Sequence, residues 1–135
     1  MRALLDTNVI LDVLLKREEF YEDSASVIKL CVADIEGIFS VNQTTDIFYI
    51  LKRSGASNEV AKQAIVGLNK YIGLVDSKKS DVLDALKSNT GDFEDAIIDS
   101  IAKREKADYI ITRNNTDYIN SSVKAISPSD FLKLW

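Results

Sequence analysis

The chain has 135 residues, nearly half apolar and about a quarter charged, which fits one soluble domain built around one core. Its net charge is −4, whereas a sequence-blind coat for long duplexes would be basic. It has no histidine and a single cysteine, which excludes histidine-based nucleophilic catalysis, imidazole- or thiolate-ligated zinc and a disulfide framework.

An apolar strand over 2–5 opens the chain, and Asp6-Thr7-Asn8 follows at once. An apolar helix runs from 7 to about 16; Asp6, Asn8 and Asp12 interrupt the apolar stretch, so it does not read as a secretory signal. A second helix is expected over 20–36, holding a buried Cys31 and stopped by Gly37. A short strand follows over 38–41. Asn42 starts a helix to Arg53, ended by Ser54-Gly55. Ser57 opens a helix to about 71, with Ala61, Ala64, Ile65, Leu68 and Ile72 at helical spacing. A brief strand over 74–76 and a helix over 78–88 come next. Asp92 opens a helix to Lys106. The strand over 108–112 is the strongest after the first. Arg113 to Asp117 reads as a polar turn. A last strand covers 123–126, and Pro128 starts a final helix to Trp135. No run reaches the roughly 20 apolar residues of a membrane span, so a cytoplasmic location is expected.

Strands alternate with helices, and the strands are apolar on both sides. That pattern implies an α/β fold: a three-layer α/β/α sandwich around a short, mostly parallel sheet. Right-handed crossovers put the carboxyl ends of the strands on one edge, where open α/β sheets place their ligands. Asp6, the start of the helix bearing Asp46, the loop at Asp92 and the turn from Arg113 to Asp117 are all expected there.

Each acid has a plain alternative. Asp6 suits a helix cap as well as a ligand. Asp46 lies beside an apolar stripe, where an unpaired carboxylate is costly. Asp92 and Asp95 resemble a capping box, although aspartate reaches back less well than glutamate. Asp99, on the face of Asp95, reads as an extra acid or an exposed one, and Asp12 as structural. Asp117 and Asn114 compete for one corner, and Arg113 faces either a phosphate or solvent. Two carboxylates about 5 Å apart repel by roughly 3 kcal/mol at an effective dielectric near 20. One or two Mg²⁺ or Mn²⁺ ions would relieve that, and all-oxygen ligation suits them.

The segments Leu4-Leu5-Asp6-Thr7-Asn8-Val9-Ile10-Leu11-Asp12, Thr45-Asp46-Ile47-Phe48-Tyr49-Ile50-Leu51, Asp92-Phe93-Glu94-Asp95-Ala96, Asp108-Tyr109-Ile110-Ile111-Thr112-Arg113-Asn114 and Ile126-Ser127-Pro128-Ser129-Asp130-Phe131-Leu132 together resemble a PIN domain. PIN domains are metal-dependent ribonucleases, and many small bacterial ones are VapC-type toxins paired with an antitoxin. The resemblance covers nearly the whole chain. It implies that Asp6, Asp46 and Asp95 bind the ion, that Asp117 completes the acidic set, and that RNA is cut to a 3′-hydroxyl and a 5′-phosphate. Thr7, Asn8, Thr112, Arg113 and Asn114 are expected to orient ligands, water or phosphate. Two positions depart from the family: Asp46 replaces a usual glutamate, and Asn114 stands where the fourth acid often follows the Thr-Arg pair. A homodimer is expected, through the second helix or the helix at 57–71. The rival readings are a PIN-like module that has lost catalysis and binds RNA or protein, and an aspartyl-nucleophile phosphatase, which Asn8 in place of a second aspartate disfavours.

Overall fold

The computed structural model describes residues 1–135, and the alternation of apolar side chains along its strands decides its architecture. In the first strand, β1 (Arg2–Leu5), Ala3 and Leu5 face one core, and Leu4 faces the other. In β2 (Glu36–Ser40), Phe39 joins the first core and Ile38 the second. Further along come β3 (Gly73–Val75), β4 (Tyr109–Ile111) and β5 (Lys124–Ile126); Ile111 and Ile110 of β4 split in the same way. A period of two with apolar residues on both sides produces a sheet that must be covered twice.

All five strands are parallel, in the order β3-β2-β1-β4-β5. Leu4 stands opposite Ile38 on one side and Ile110 on the other. Helices α1 (Thr7–Leu14), α2 (Tyr21–Ala33), α3 (Val41–Arg53) and α4 (Asn58–Leu68) supply Ile10, Val27, Ile47 and Ala61 to the larger core. Next are α5 (Lys79–Ala85), α6 (Phe93–Arg104) and α7 (Pro128–Leu132). Phe131 of α7 completes the first layer, and α6 covers the opposite face with Ile98, Ile101 and Ala102. Buried Asp81 of α5 accepts the Arg104 guanidinium at 3.0 Å and so fixes α5 against α6.

The chain leaves β1 towards β2 and β3, then returns to build β4 and β5 on the other side. The strand order therefore switches direction between β1 and β4, and a crevice opens at their carboxyl ends.

Gly37 does not end α2. That helix stops at Ala33, and Gly37 lies inside β2. A Cβ there would stand 2.5 Å from Cys31 Sγ, so glycine lets α2 pack onto the strand. The helix carrying Asp46 starts at Val41, capped by Ser40 rather than opened by Asn42. The polar turn after β4 holds a short 3₁₀ turn, Asn115–Tyr118. No helix is long and apolar enough to cross a membrane.

Candidate active site

Asp6 follows the last residue of β1 and is buried at the switch point. Its Oδ1 accepts the Thr7 backbone N–H at 2.8 Å, so the capping reading holds in part. Its Oδ2 accepts the Thr112 hydroxyl at 2.8 Å, with Tyr118 Oη at 3.4 Å and Asn8 Nδ2 at 3.5 Å. Thr112 stands just beyond β4, so one hydrogen bond ties the carboxyl ends of the two central strands. Asn8 reaches Thr112 Oγ1 at 3.4 Å and accepts the Arg113 N–H at 3.3 Å. Thr7 is held in turn by Gln43, whose amide donates to Leu5 O at 2.9 Å and to Thr7 Oγ1 at 3.3 Å. Burial raises the Asp6 pKa against the pull of these donors.

The second acid enters from α6. Asp92 is the N-cap, and its Oδ1 accepts the Asp95 N–H at 2.9 Å. Asp95 Oδ2 accepts the Asp92 N–H at 3.4 Å, long because aspartate is one methylene short for this return bond. Gly91 precedes the pair at φ +37°, and a Cβ there would stand 2.6 Å from Asp95 Oδ2 and 2.5 Å from Asp117 O. Glycine therefore allows the loop, the Asp95 carboxylate and the 3₁₀ turn to close on one another. Partial burial, opposed by the Asp92 backbone N–H and reinforced by the charges of Asp92 and Asp6, pushes Asp95 up to about 6. The buried Tyr118 hydroxyl lies against both Asp6 and Asp95; burial and those two charges raise its pKa.

Asp6, Asp92, Asp95, Glu94 and Asp117 line one cleft of about 330 Å³, together with Thr7, Asn8 and Asn114. Both competitors for the last corner thus face it: Asn114 O accepts the Asp117 N–H at 2.9 Å, and the 3₁₀ turn presents the two side by side. Asp46 stands half-buried behind Glu94, whose carboxyl group is in hydrogen-bonding contact with it. Partial burial and the Asp46 charge push Glu94 up to about 7. No three acidic side chains stand at ligating distance of a common point; the structure brings Asp6 and Asp95 into the cleft and sets Asp46 one side chain back.

Other candidate side chains lie outside the cleft. The Arg113 guanidinium lies neither free in solvent nor in the cleft: Nε and Nη2 contact Asp12 at 2.7 and 3.0 Å, and its centre stacks 3.8 Å over the Phe20 ring. Asp12 is structural, as its position suggested, and fully buried. Asp99 is neither an extra cleft acid nor exposed; it is buried and accepts the Ser122 and Val123 N–H groups at 2.8 and 2.9 Å, fixing the entry to β5. Cys31 is the expected inert thiol, pushed up to about 12 by burial.

Sequence reasoning missed Glu94, Gln43, Tyr118 and Arg17. Glu94 had a signal, since it sits between Asp92 and Asp95. Gln43 and Tyr118 look like any polar helix residue and any core aromatic.

The PIN-domain family model matches residues 2–116, nearly the whole chain. The chain belongs to the PIN-domain family. Asp117, Tyr118 and the last strand and helix lie beyond the matched segment. No curated protein matches the sequence significantly. Among solved structures, VapBC2 of Rickettsia felis, bound to a DNA fragment from its promoter, superposes with a TM-score of 0.71 at 14% identity, covering 94% of this chain and 98% of that one. A toxin–antitoxin complex from Klebsiella pneumoniae gives 0.72 at 16%, over 93% and 97%. VapC20 of Mycobacterium tuberculosis, a sarcin–ricin-loop-cleaving toxin, gives 0.64 at 11%, over 80% and 86%. At such identities the likeness establishes the PIN fold.

Proposed function

We propose that this PIN domain is a Mg²⁺- or Mn²⁺-dependent endoribonuclease and the toxin of a toxin–antitoxin pair. One observation carries the reading: at the switch point of the sheet, acids just after β1, on α6 and in the turn after β4 line one cleft, where burial and mutual charge push Glu94 up to about 7 and Asp95 up to about 6. Crowded carboxylates that retain protons are groups a divalent cation can bind in exchange. The donors are all oxygens, as these hard ions require. Asp6 and Asp95 would hold the ion, with Asp46 joining them as Glu94 moves aside and Asp117 at the margin. When bound, it supplies an activated water and neutralises charge on the phosphodiester.

The protein's own part is orientation. Thr112 and Asn8 hold Asp6, the Asp92 N–H holds Asp95, and the amide of Asn114 faces the cleft where a phosphate oxygen would lie. The solved toxin–antitoxin complexes of the same fold support a protein antitoxin as partner. Exposed Val60 and Val66 on α4 suit the homodimer face. A small DNA-binding protein encoded beside this chain would establish the pairing.

The test is cleavage of a short single-stranded RNA with Mn²⁺. Asp6→Asn and Asp95→Asn should each lower the rate by at least about a hundredfold while keeping the parent's circular dichroism. Variants that cut as fast as the parent would remove the acidic cleft from the mechanism.

A further inference from the structure

The acidic cleft poses a problem for any polyanion, since five carboxylates line it and Arg17 is the sole cation among them. We infer that Arg17, anchored on the buried Asp12 beside Arg113, is a phosphate subsite for the RNA strand at the mouth of the cleft, an inference that rests on the nuclease reading above.

The local chain fixes this arginine. Lys16 adopts φ +49°, which ends α1 and turns the backbone so that the Arg17 N–H returns to Asp12 O at 3.0 Å. The Asp12 carboxylate is fully buried and already balanced by the two-point contact from Arg113, with the Ser24 hydroxyl at 3.4 Å. Arg17 adds only Nη1, at 3.2 Å. Its Nε and Nη2 donate to no protein atom, and its side chain is 36% exposed. One arginine neutralises Asp12. The second leaves the trio at a net charge of +1, beside five acidic side chains, with donors in the planar fork that fits a phosphate.

The same anchor links two openings. Arg17 lines the acidic cleft, whereas Arg113, Phe20, Ser127 and Ser129 line a neighbouring cavity of about 490 Å³. A strand running from the acids towards that cavity would meet Arg17 with a phosphate close to the bond that is cut. The expected contribution is to binding, shared by substrate and transition state alike.

The experiment measures kcat and KM for a short single-stranded RNA with Mn²⁺, from about 50 to 200 mM salt. Arg17→Met should raise KM about tenfold with kcat unchanged. The slope of log KM against log salt should fall by about 0.7, the loss of one phosphate contact on a single strand. Arg17→Lys, which keeps the charge, should restore the slope and part of the KM. Lys106→Met, which removes a charge just before β4 at the opposite edge of the sheet, should change neither. The inference is overturned if Arg17→Met keeps the parent's KM and salt slope, if its loss lies in kcat, or if Lys106→Met has the same effect. If Arg17→Met fails to fold, an Arg17→Lys slope below the parent's also overturns it. A parent that cuts no RNA brings down the nuclease reading and the subsite with it, whereas an active parent beside an indifferent Arg17→Met variant removes the subsite alone.

Discussion

Glu94 offers the sharpest test of the crowded cleft, because its carboxyl group is pushed up to about 7 by partial burial and by contact with Asp46. A carboxyl group whose pKa is higher in the folded chain than in the unfolded one favours folding below the unfolded value and loses that contribution as pH rises through the folded value. The window here runs from the ordinary value of 4.5 to about 7. Each pKa unit is worth about 1.4 kcal/mol, but Glu94 lies towards solvent, and screening reduces the effect to about 1 kcal/mol. For a chain of this length that is about 3 to 4 °C in melting temperature. Glu94→Gln cannot ionise, and its amide donates to Asp46 at every pH. In buffer with chelator, the melting temperature of the variant minus that of the parent should therefore climb by about 3 to 4 °C between pH 4.5 and 7.5. Taking the difference cancels the other acids. Adding Mn²⁺ at a hundredfold excess over its dissociation constant should then stabilise the parent by about 2.7 kcal/mol at pH 7.5. A difference that stays flat with pH would show that Glu94 and Asp46 are not in contact, and the argument for proton–cation exchange would lose its support.

Three further perturbations probe the frame around the acids. Asp12→Ala removes the fully buried carboxylate that pairs two partly exposed guanidinium groups, so it should cost about 3 kcal/mol, or about 10 °C in a thermal melt. Gly91→Ala forces a Cβ to within 2.6 Å of Asp95 Oδ2 at a positive φ; it should cost about 1 to 3 kcal/mol in chemical denaturation and lower RNA cleavage by displacing Asp95. Tyr118→Phe keeps the buried ring and removes only the hydroxyl between Asp6 and Asp95, so it should fold like the parent yet bind Mn²⁺ about tenfold more weakly by calorimetric titration.

Much of this architecture is legible in the sequence because it follows from periodicity. Leu4, Ile38 and Ile110 alternate with Leu5, Phe39 and Ile111, and residues apolar on both faces admit only a doubly covered parallel sheet. Once the sheet is parallel, Asp6 and Thr112 must share an edge. Helix limits are less legible, since Gly37 reads locally as a stop signal while its actual constraint is contact with Cys31. Charged side chains are the least legible. Arg113 looks like a phosphate ligand beside the candidate site, but it is bound by a carboxylate from a helix a hundred residues earlier. Asp99 shares a helical face with Asp95, and no spacing rule reveals that two backbone N–H groups of a later loop claim it.

The two departures from the PIN pattern sit in different surroundings. Where the fourth acid usually follows the Thr-Arg pair, Asn114 offers an amide, and the 3₁₀ turn carries Asp117 back to the same cleft. A tight turn of three residues per repeat brings residues 114 and 117 to one side, so an acid still lines the cleft there. At position 46 the side chain is shortened, and no local turn can restore the missing methylene inside α3. The reach comes instead from across the cleft, where the longer Glu94 on α6 meets Asp46. Burial and the Asp46 charge together raise Glu94, and a longer acid at position 46 would bring the two carboxyl groups closer still.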